Sequence, residues 1–281
     1  MVNEEMRTTW TGGACAWVEH QQMFDRVYSP VTAAILAVAD LGPRRRVLDI
    51  GCGTGTLLEA AGAVGAVATG VDISPAMTEA ASHRVPTASV LLADAQDTDL
   101  SGAPGAPFDR VVSRFGVMFF EDATAAFANI RRACEDGARL TFACWRAVAE
   151  NPTFTLGTTV LTTHLAAPPA PPRADAPGPM AFADPAYVRR LLEAAGWAEI
   201  DVVPLDFECI YGADDDDGVE DRMDLILGTT TGRAAAAELV PRLGPDAWAG
   251  LLEDVRAELR LNIVDGHVRH PGACWLVTAQ A

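Results

Sequence analysis

The run Val47-Leu48-Asp49-Ile50-Gly51-Cys52-Gly53-Thr54-Gly55 constrains this chain more than any other stretch. Residues suited to a buried strand lead into glycines at alternate positions, and a helix-forming stretch starts near Thr56. Glycines let a backbone turn sharply and approach a ligand closely, while the N-terminus of the following helix offers N–H groups with no partner inside the helix. Asp72 stands 21 positions past Gly51, at the end of the next strand-like run. A carboxylate there can accept both hydroxyls of a ribose. These features imply a nucleoside-containing ligand on a doubly wound sheet.

Two details choose the ligand. A dinucleotide fingerprint is G-x-G-x-x-G, whereas this chain reads G-x-G-x-G with Thr56 in place of the last glycine. Asp49, inside the strand, would repel a pyrophosphate but suits an ammonium group. The charge logic favours S-adenosylmethionine over a nicotinamide dinucleotide, and so disfavours a nicotinamide oxidoreductase.

Around this run the pattern alternates. Apolar strand-like runs at 47–50, 66–71, 89–92, 110–113 and 139–145 are separated by helix-forming stretches at 56–63, 75–84 and 123–134. Serial β-α units imply a parallel sheet covered on both faces. The stretch 60–68 is rich in alanine and glycine, which leaves the end of the first of these helices open. Upstream, 14–40 has helical spacing with a break at Ser29-Pro30. Downstream, 166–179 is a proline-rich connection that excludes helix and central strand. Asp184-Pro185 opens a helix that closes at Gly196, 199–210 reads as a strand, 219–262 as helical, and 273–279 as a final strand. The acidic run Asp214–Asp217 is expected to be a solvated loop.

Composition narrows the partners. The formal charge is −17 on 281 residues, and all 21 basic residues are arginine, which removes lysine Schiff bases and P-loop lysines. So acidic a chain is a poor match for nucleic acid, which calls for a basic face. No apolar run reaches the ~20 residues of a membrane span, and the N-terminus lacks the features of a signal peptide, so a cytoplasmic location and no membrane partner are expected. The 6 cysteines include no C-x-x-C pair and are expected to be buried thiols, and no metal site is expected, at His267 and His270 included. A small-molecule acceptor and a monomer or homodimer complete the expectation.

The motifs resemble those of the class I S-adenosylmethionine-dependent methyltransferases. Val47–Gly55 resembles their first motif, Gly70-Val71-Asp72-Ile73-Ser74 their ribose-binding acidic loop, Ala93-Asp94-Ala95 their adenine-reading segment, and 108–113 and 137–145 their fourth and fifth strands. The string 113–120, with Cys144-Trp145-Arg146 and Asn151-Pro152, is similar to a bacterial small-molecule subgroup related to the ubiquinone/menaquinone C-methyltransferases. The resemblance implies a Rossmann-like, doubly wound, mostly parallel seven-stranded sheet. It also implies an N-terminal helical cap (1–45), a cofactor-binding core (46–150), and lid insertions with sheet-completing strands (151–281). It implies a methyl transfer to O, N, C or S of the acceptor, leaving S-adenosylhomocysteine; the alternative is a cofactor-binding protein of the same fold without transfer, cyclase-like or non-catalytic.

It further implies roles for particular residues. Asp49 faces the amino-acid end of the cofactor, with Gly51, Cys52, Gly53 and Gly55 giving backbone contact. Asp72 binds ribose, Ile73 and Met77 flank adenine, Asp94 and Ala95 read its edge, and Ser113 and Arg114 lie where the methyl group points. His20 and Tyr28, in the cap, are the candidate catalytic residues, and Trp17, Met118, Trp145 and His164 the candidate acceptor-binding residues. Methyl transfer requires chiefly alignment and exclusion of water, and a base only if the acceptor must shed a proton on attack, so no motif announces a catalytic group.

Overall fold

The computed structural model describes residues 4–167 and 176–281. Its core alternates strand and helix as the pattern demands: β1 (Arg46–Ile50), α4 (Thr56–Ala63), β2 (Val67–Asp72), α5 (Pro75–Arg84), β3 (Ser89–Leu92), β4 (Phe108–Arg114), α6 (Ala123–Arg132) and β5 (Cys134–Trp145). Ahead of them come α1 (Glu4–Glu19), α2 (Gln21–Val27) and α3 (Ser29–Ala39); Pro30 opens α3 and marks the break read from the sequence. After them come α7 (Thr158–Thr162), α8 (Pro185–Ala194), β6 (Ala198–Ile210), α9 (Val219–Gly228), α10 (Thr230–Leu243), α11 (Pro245–Arg260), β7 (Ile263–Val264) and β8 (His267–Gln280).

Local chemistry sets the helix starts. Ser74, Asp122 and Asp184 each cap a helix, accepting from the backbone N–H of Met77, Ala125 and Ala186 in turn, and Pro75 and Pro185 occupy first-turn positions where no N–H is needed. The helical stretch 219–262 divides into three helices because Thr229 caps α10 through its hydroxyl and Gly244-Pro245 restarts the chain at α11.

The sheet order is β3-β2-β1-β4-β5-β8-β6, with the two-residue β7 paired to β8. β3 through β5 run parallel, whereas β8 lies antiparallel between β5 and β6. Val47, Leu48 and Ile50 of β1 are buried because helices cover both faces, which explains the near-continuous apolar run. Pro204 is accommodated in β6, an edge strand. The chain reverses its direction of travel across the sheet between β1 and β4, so their C-terminal ends open a crevice, the usual ligand position in such sheets.

Other expectations meet particular surroundings. Cys52, Cys144, Cys209 and Cys274 are buried and Cys134 partly so. The Asp214–Asp217 loop is exposed, with Asp216 and Asp217 accepting from the N–H groups of Gly218 and Val219. His270 is buried on β8, and burial pushes its pKa down to about 4. Of the proline-rich connection, 168–175 lie outside the described residues.

Asn151 ties the insertion to the sheet. Wholly buried, it accepts from Ala273 N at 2.8 Å and donates to Ala273 O at 3.0 Å, so its amide pairs with β8 as a strand residue would. Asn151→Ala strands both groups, each costing about 1–3 kcal/mol when buried without a partner. A loss of roughly 2–4 kcal/mol in denaturant titration is therefore expected.

Candidate functional site

A cavity of about 510 Å³ opens at the C-terminal ends of β1, β2, β4 and β5. The glycine turn forms its floor. Residues of α1 and α2, the segments 153–158 and 177–179, and the α9–α10 junction roof it.

Gly51 and Gly53 adopt φ of 63° and 53°, the left-handed region that glycine enters at low cost. A Cβ on Gly51 would lie 2.7 Å from the Cα of Gly116. The amides of Gly51 and Cys52 both donate to Val71 O, at 2.8 and 3.1 Å. Gly53 N donates to one Asp72 oxygen and Ser74 N to the other, each at 2.9 Å. These three turn amides are therefore engaged in holding the turn, and the Asp72 carboxylate is locked in place with lone pairs to spare.

Three carboxyls line one wall. Asp72 ends β2, and burial raises its pKa while the N–H groups of Ser74 and Gly53 oppose the rise. Asp94 follows β3; one oxygen accepts from Gln96 N at 2.9 Å and the other has no partner. Asp49 on β1 is 1% exposed, and neither of its oxygens has a hydrogen-bond partner among the described residues. Burial pushes its pKa up to about 8, against the pull of Arg114. A buried carboxyl without a partner costs free energy unless it stays neutral or meets a cation.

Arg114, at the end of β4, also lines the cavity, and its guanidinium donates to Thr32 at 2.8 Å and Thr56 at 3.2 Å and pairs with Asp25 at 3.4 Å. Asp25 of α2 also pairs with Arg84 of α5 at 2.7 Å. Helix α2 is thus clamped to the core by one carboxylate between two arginines.

The opposite wall is aromatic. Phe115 and Trp145 stack with centroids 4.4 Å apart and planes 3° apart, and Tyr28 meets both edge-on. Trp17 stacks on Phe24 at 3.8 Å, and Trp10 meets Trp17 and Phe119 edge-on. Phe115 holds a φ of 66°, a strained value for a non-glycine residue. The Tyr28 phenol is buried, which together with Tyr211 and Cys209 raises its pKa well above the usual value.

The cavity brings together Asp49, Gly51, Cys52 and Gly53 with Asp72, Ile73 and Met77, then Asp94, Ala95 and Arg114, and finally Trp17, Tyr28, Met118 and Trp145. Four expected site residues stand off the wall. Ser113 is fully buried; its hydroxyl donates to Ile50 O at 2.7 Å and accepts from Gly116 N at 3.1 Å, joining β4 to the glycine turn. Gly55 starts α4, where a Cβ would come within 3.3 Å of Ala81 on α5, so its smallness serves helix packing. His20 lies 3.9 Å from Asp224, away from the cavity. His164 is exposed, its ring nitrogen bonded to Val160 O at 2.9 Å.

Sequence reasoning missed Phe115, Thr153 and Thr229–Thr231 as wall residues. Phe115 directly follows the β4 motif and was within reach of it. The threonines lie on segments that touch the cavity only through tertiary packing.

On this doubly wound α/β fold, residues 48–142 match the model of the methyltransferase domain family. An uncharacterized protein of Mycobacterium tuberculosis is 29% identical over 141 residues, 50% of this chain and 49% of that one. The aklanonic acid methyltransferase of Streptomyces sp. strain C5 is 29% identical over 153 residues, 51% of this chain and 66% of its own. The chain thus spans about half the length of the first of these relatives. The crystal structure of the YcgJ protein of Bacillus subtilis covers 90% of this chain and 98% of its own at a TM-score of 0.53 and 14% identity, a likeness of fold.

Asp49 leaves a measurable trace in the ligand-free protein. Its carboxyl ionises in the unfolded chain near pH 4 but in the folded protein only near 8, so stability falls across that interval as pH rises. Asp49→Asn has no such titration, and each pKa unit of difference is worth about 1.4 kcal/mol. In thermal melts the variant is expected to gain on the wild type from pH 5 to pH 8 and to hold that gain above it.

Proposed function

We propose that the chain is an S-adenosylmethionine-dependent methyltransferase acting on a small-molecule acceptor. The observation that carries the reading is Asp49, a buried carboxyl with two unpartnered oxygens facing a cavity whose wall continues to Asp72 and Asp94. The three match the cofactor's polar groups in order: Asp49 for the ammonium, Asp72 for the ribose hydroxyls, and the free oxygen of Asp94 for the adenine amino group. Arg114 adds a cation beside Asp49 for the amino-acid carboxylate. Ile73, Met77 and Ala95 supply apolar surface around the base.

Bound S-adenosylmethionine supplies an electrophilic methyl group on a sulfonium. The protein's residues do the rest. The Asp72 clip and the glycine turn fix the cofactor's place, and the aromatic wall holds the acceptor in line while the cap and the α9–α10 junction keep water out. No group of three or more potential metal ligands occurs among the described residues. No helix among them is long and apolar enough to cross a membrane. A small-molecule acceptor and a cytoplasmic setting are part of this reading, supported by the −17 charge that disfavours nucleic acid.

Titration calorimetry with S-adenosylhomocysteine tests it. The wild type is expected to bind, and Asp72→Ala to bind about 10–100-fold more weakly, the worth of hydrogen bonds to a charged group. Absence of wild-type binding overturns the reading.

The same titration carries a pH signature. Asp49 is neutral below about 8 without ligand, yet pairs with the ammonium as a carboxylate. Affinity is therefore expected to climb from pH 6 to pH 8, by up to about tenfold per unit, with proton release. Asp49→Asn should bind weakly and without that slope.

A further inference from the structure

Among the described residues, the charged side chains lining the cavity are Asp49, Asp72, Asp94, Arg114 and Arg233. The cofactor reading accounts for the three acids and for Arg114, the cation that acts on Asp49. Arg233, at the α9–α10 junction in the roof, is left over. It forms no ion pair among the described residues, although the chain holds 38 acidic residues against 21 basic ones. Its guanidinium donates to the carbonyl of Gly228, the last residue of α9, and is held there at the cavity wall beside Thr230 and Thr231. The Thr229 hydroxyl is spent on the helix cap, accepting from Gly232 N at 3.0 Å and donating to Ile226 O at 2.7 Å, whereas those of Thr230 and Thr231 have no partner among the described residues.

Helix stability does not account for Arg233. It stands in the opening turn of α10, where the partial positive charge of the helix end disfavours a cation. A half-buried guanidinium placed against that field, in a cavity wall and without an acid, suits an anion brought in by a ligand. The surface beside it is apolar. A Cβ on Gly228 would lie 2.9 Å from the Ala16 Cβ, so the junction presses on α1, whose Met6, Trp10 and Trp17 line the same cavity as Leu225 of α9.

We propose that the acceptor carries a carboxylate on an apolar body, and that Arg233 anchors this carboxylate at the α9–α10 junction. A guanidinium takes a carboxylate through paired N–H donors, and the two threonine hydroxyls stand by to complete its shell. One arginine balances one negative charge, so a doubly charged phosphate monoester is disfavoured in a cavity that already holds three carboxyls. Lone pairs engaged by a guanidinium make a poor nucleophile. The anchored carboxylate therefore positions the acceptor and is not the group that receives the methyl.

The proposal rests on the methyltransferase reading, and the test separates the two. Octanoate, octanamide and octyl phosphate share one apolar tail and differ in a singly charged, neutral or doubly charged head. Each is titrated by calorimetry at pH 8, below its micelle-forming concentration, into the full chain saturated with S-adenosylhomocysteine, so that Arg114 is already occupied. Octanoate is expected to bind at least about tenfold more tightly than octanamide, the worth of a charged hydrogen bond, and more tightly than octyl phosphate. Arg233→Gln should bring octanoate down to the level of octanamide while leaving octanamide and S-adenosylhomocysteine unchanged. A general loosening of the roof would weaken both octanoate and octanamide. Equal binding of octanoate and octanamide, tighter binding of octyl phosphate, no measurable binding of octanoate, or a preference that survives in Arg233→Gln overturns the proposal. Weaker binding of S-adenosylhomocysteine by Arg233→Gln also overturns it, because Arg233 then belongs to the cofactor. Failure of the wild type to bind S-adenosylhomocysteine overturns the cofactor reading instead. The same titrations without it, compared between wild type and Arg233→Gln, then still decide whether Arg233 holds a carboxylate.

Discussion

The site depends on a backbone crossing. Gly51 and Gly116 approach so closely that a Cβ on either would fall within 2.8 Å of the other's Cα. Ser113 staples the crossing, donating to Ile50 O and accepting from Gly116 N, so the ends of β1 and β4 are held as one piece. From this point the glycine turn reaches across to Val71 and Asp72, and Phe115, immediately before Gly116, is forced to a positive φ that joins its ring to Trp145. The carboxyl wall and the aromatic wall share this one anchor.

Electrostatics varies along the cavity. At one end, three carboxyls lie within an acidic chain, and burial keeps Asp49 poised between neutral and charged. Elsewhere the Tyr28 phenol lines the cavity with its pKa raised by burial, while Arg222 and His270, whose pKa burial and Arg222 hold down to about 4, are buried without lining it. In the proposed function, the ammonium of the cofactor belongs at the carboxyl wall. Arg114 shares its charge with Asp25, so the same ion pair that ties α2 to the end of β4 also tempers Asp49.

The core was legible because its signals are local. β3 and the helices at 56–63 and 75–84 fall where the sequence placed them, since Ser74 and Pro75 act within a turn of their own position and buried parallel strands need unbroken apolar runs. The segments before β1 and after β5 were legible only as helices and strands. That 219–262 breaks at Thr229, presenting Thr229–Thr231 to the cavity, depends on how α9 and α10 pack. Position in a motif also misled: Ser113 and Gly55 sit among ligand-facing residues, but one hydroxyl is used up by backbone and one Cα is pressed on a neighbouring helix.

Sequence alone determined the type of sheet, the glycine turn, and the row of acids at Asp49, Asp72 and Asp94, because strand period, turn conformation and strand-end position are short-range properties of a chain. Only the tertiary structure decided which residues of α1 and α2 reach the cavity, and that among the described residues Asp49 has no hydrogen-bond partner and the buried Arg222 no ion pair. Those are facts of burial and encounter between segments far apart in sequence. No local spacing encodes them, since a side chain's charge state and exposure are set by whatever packs against it.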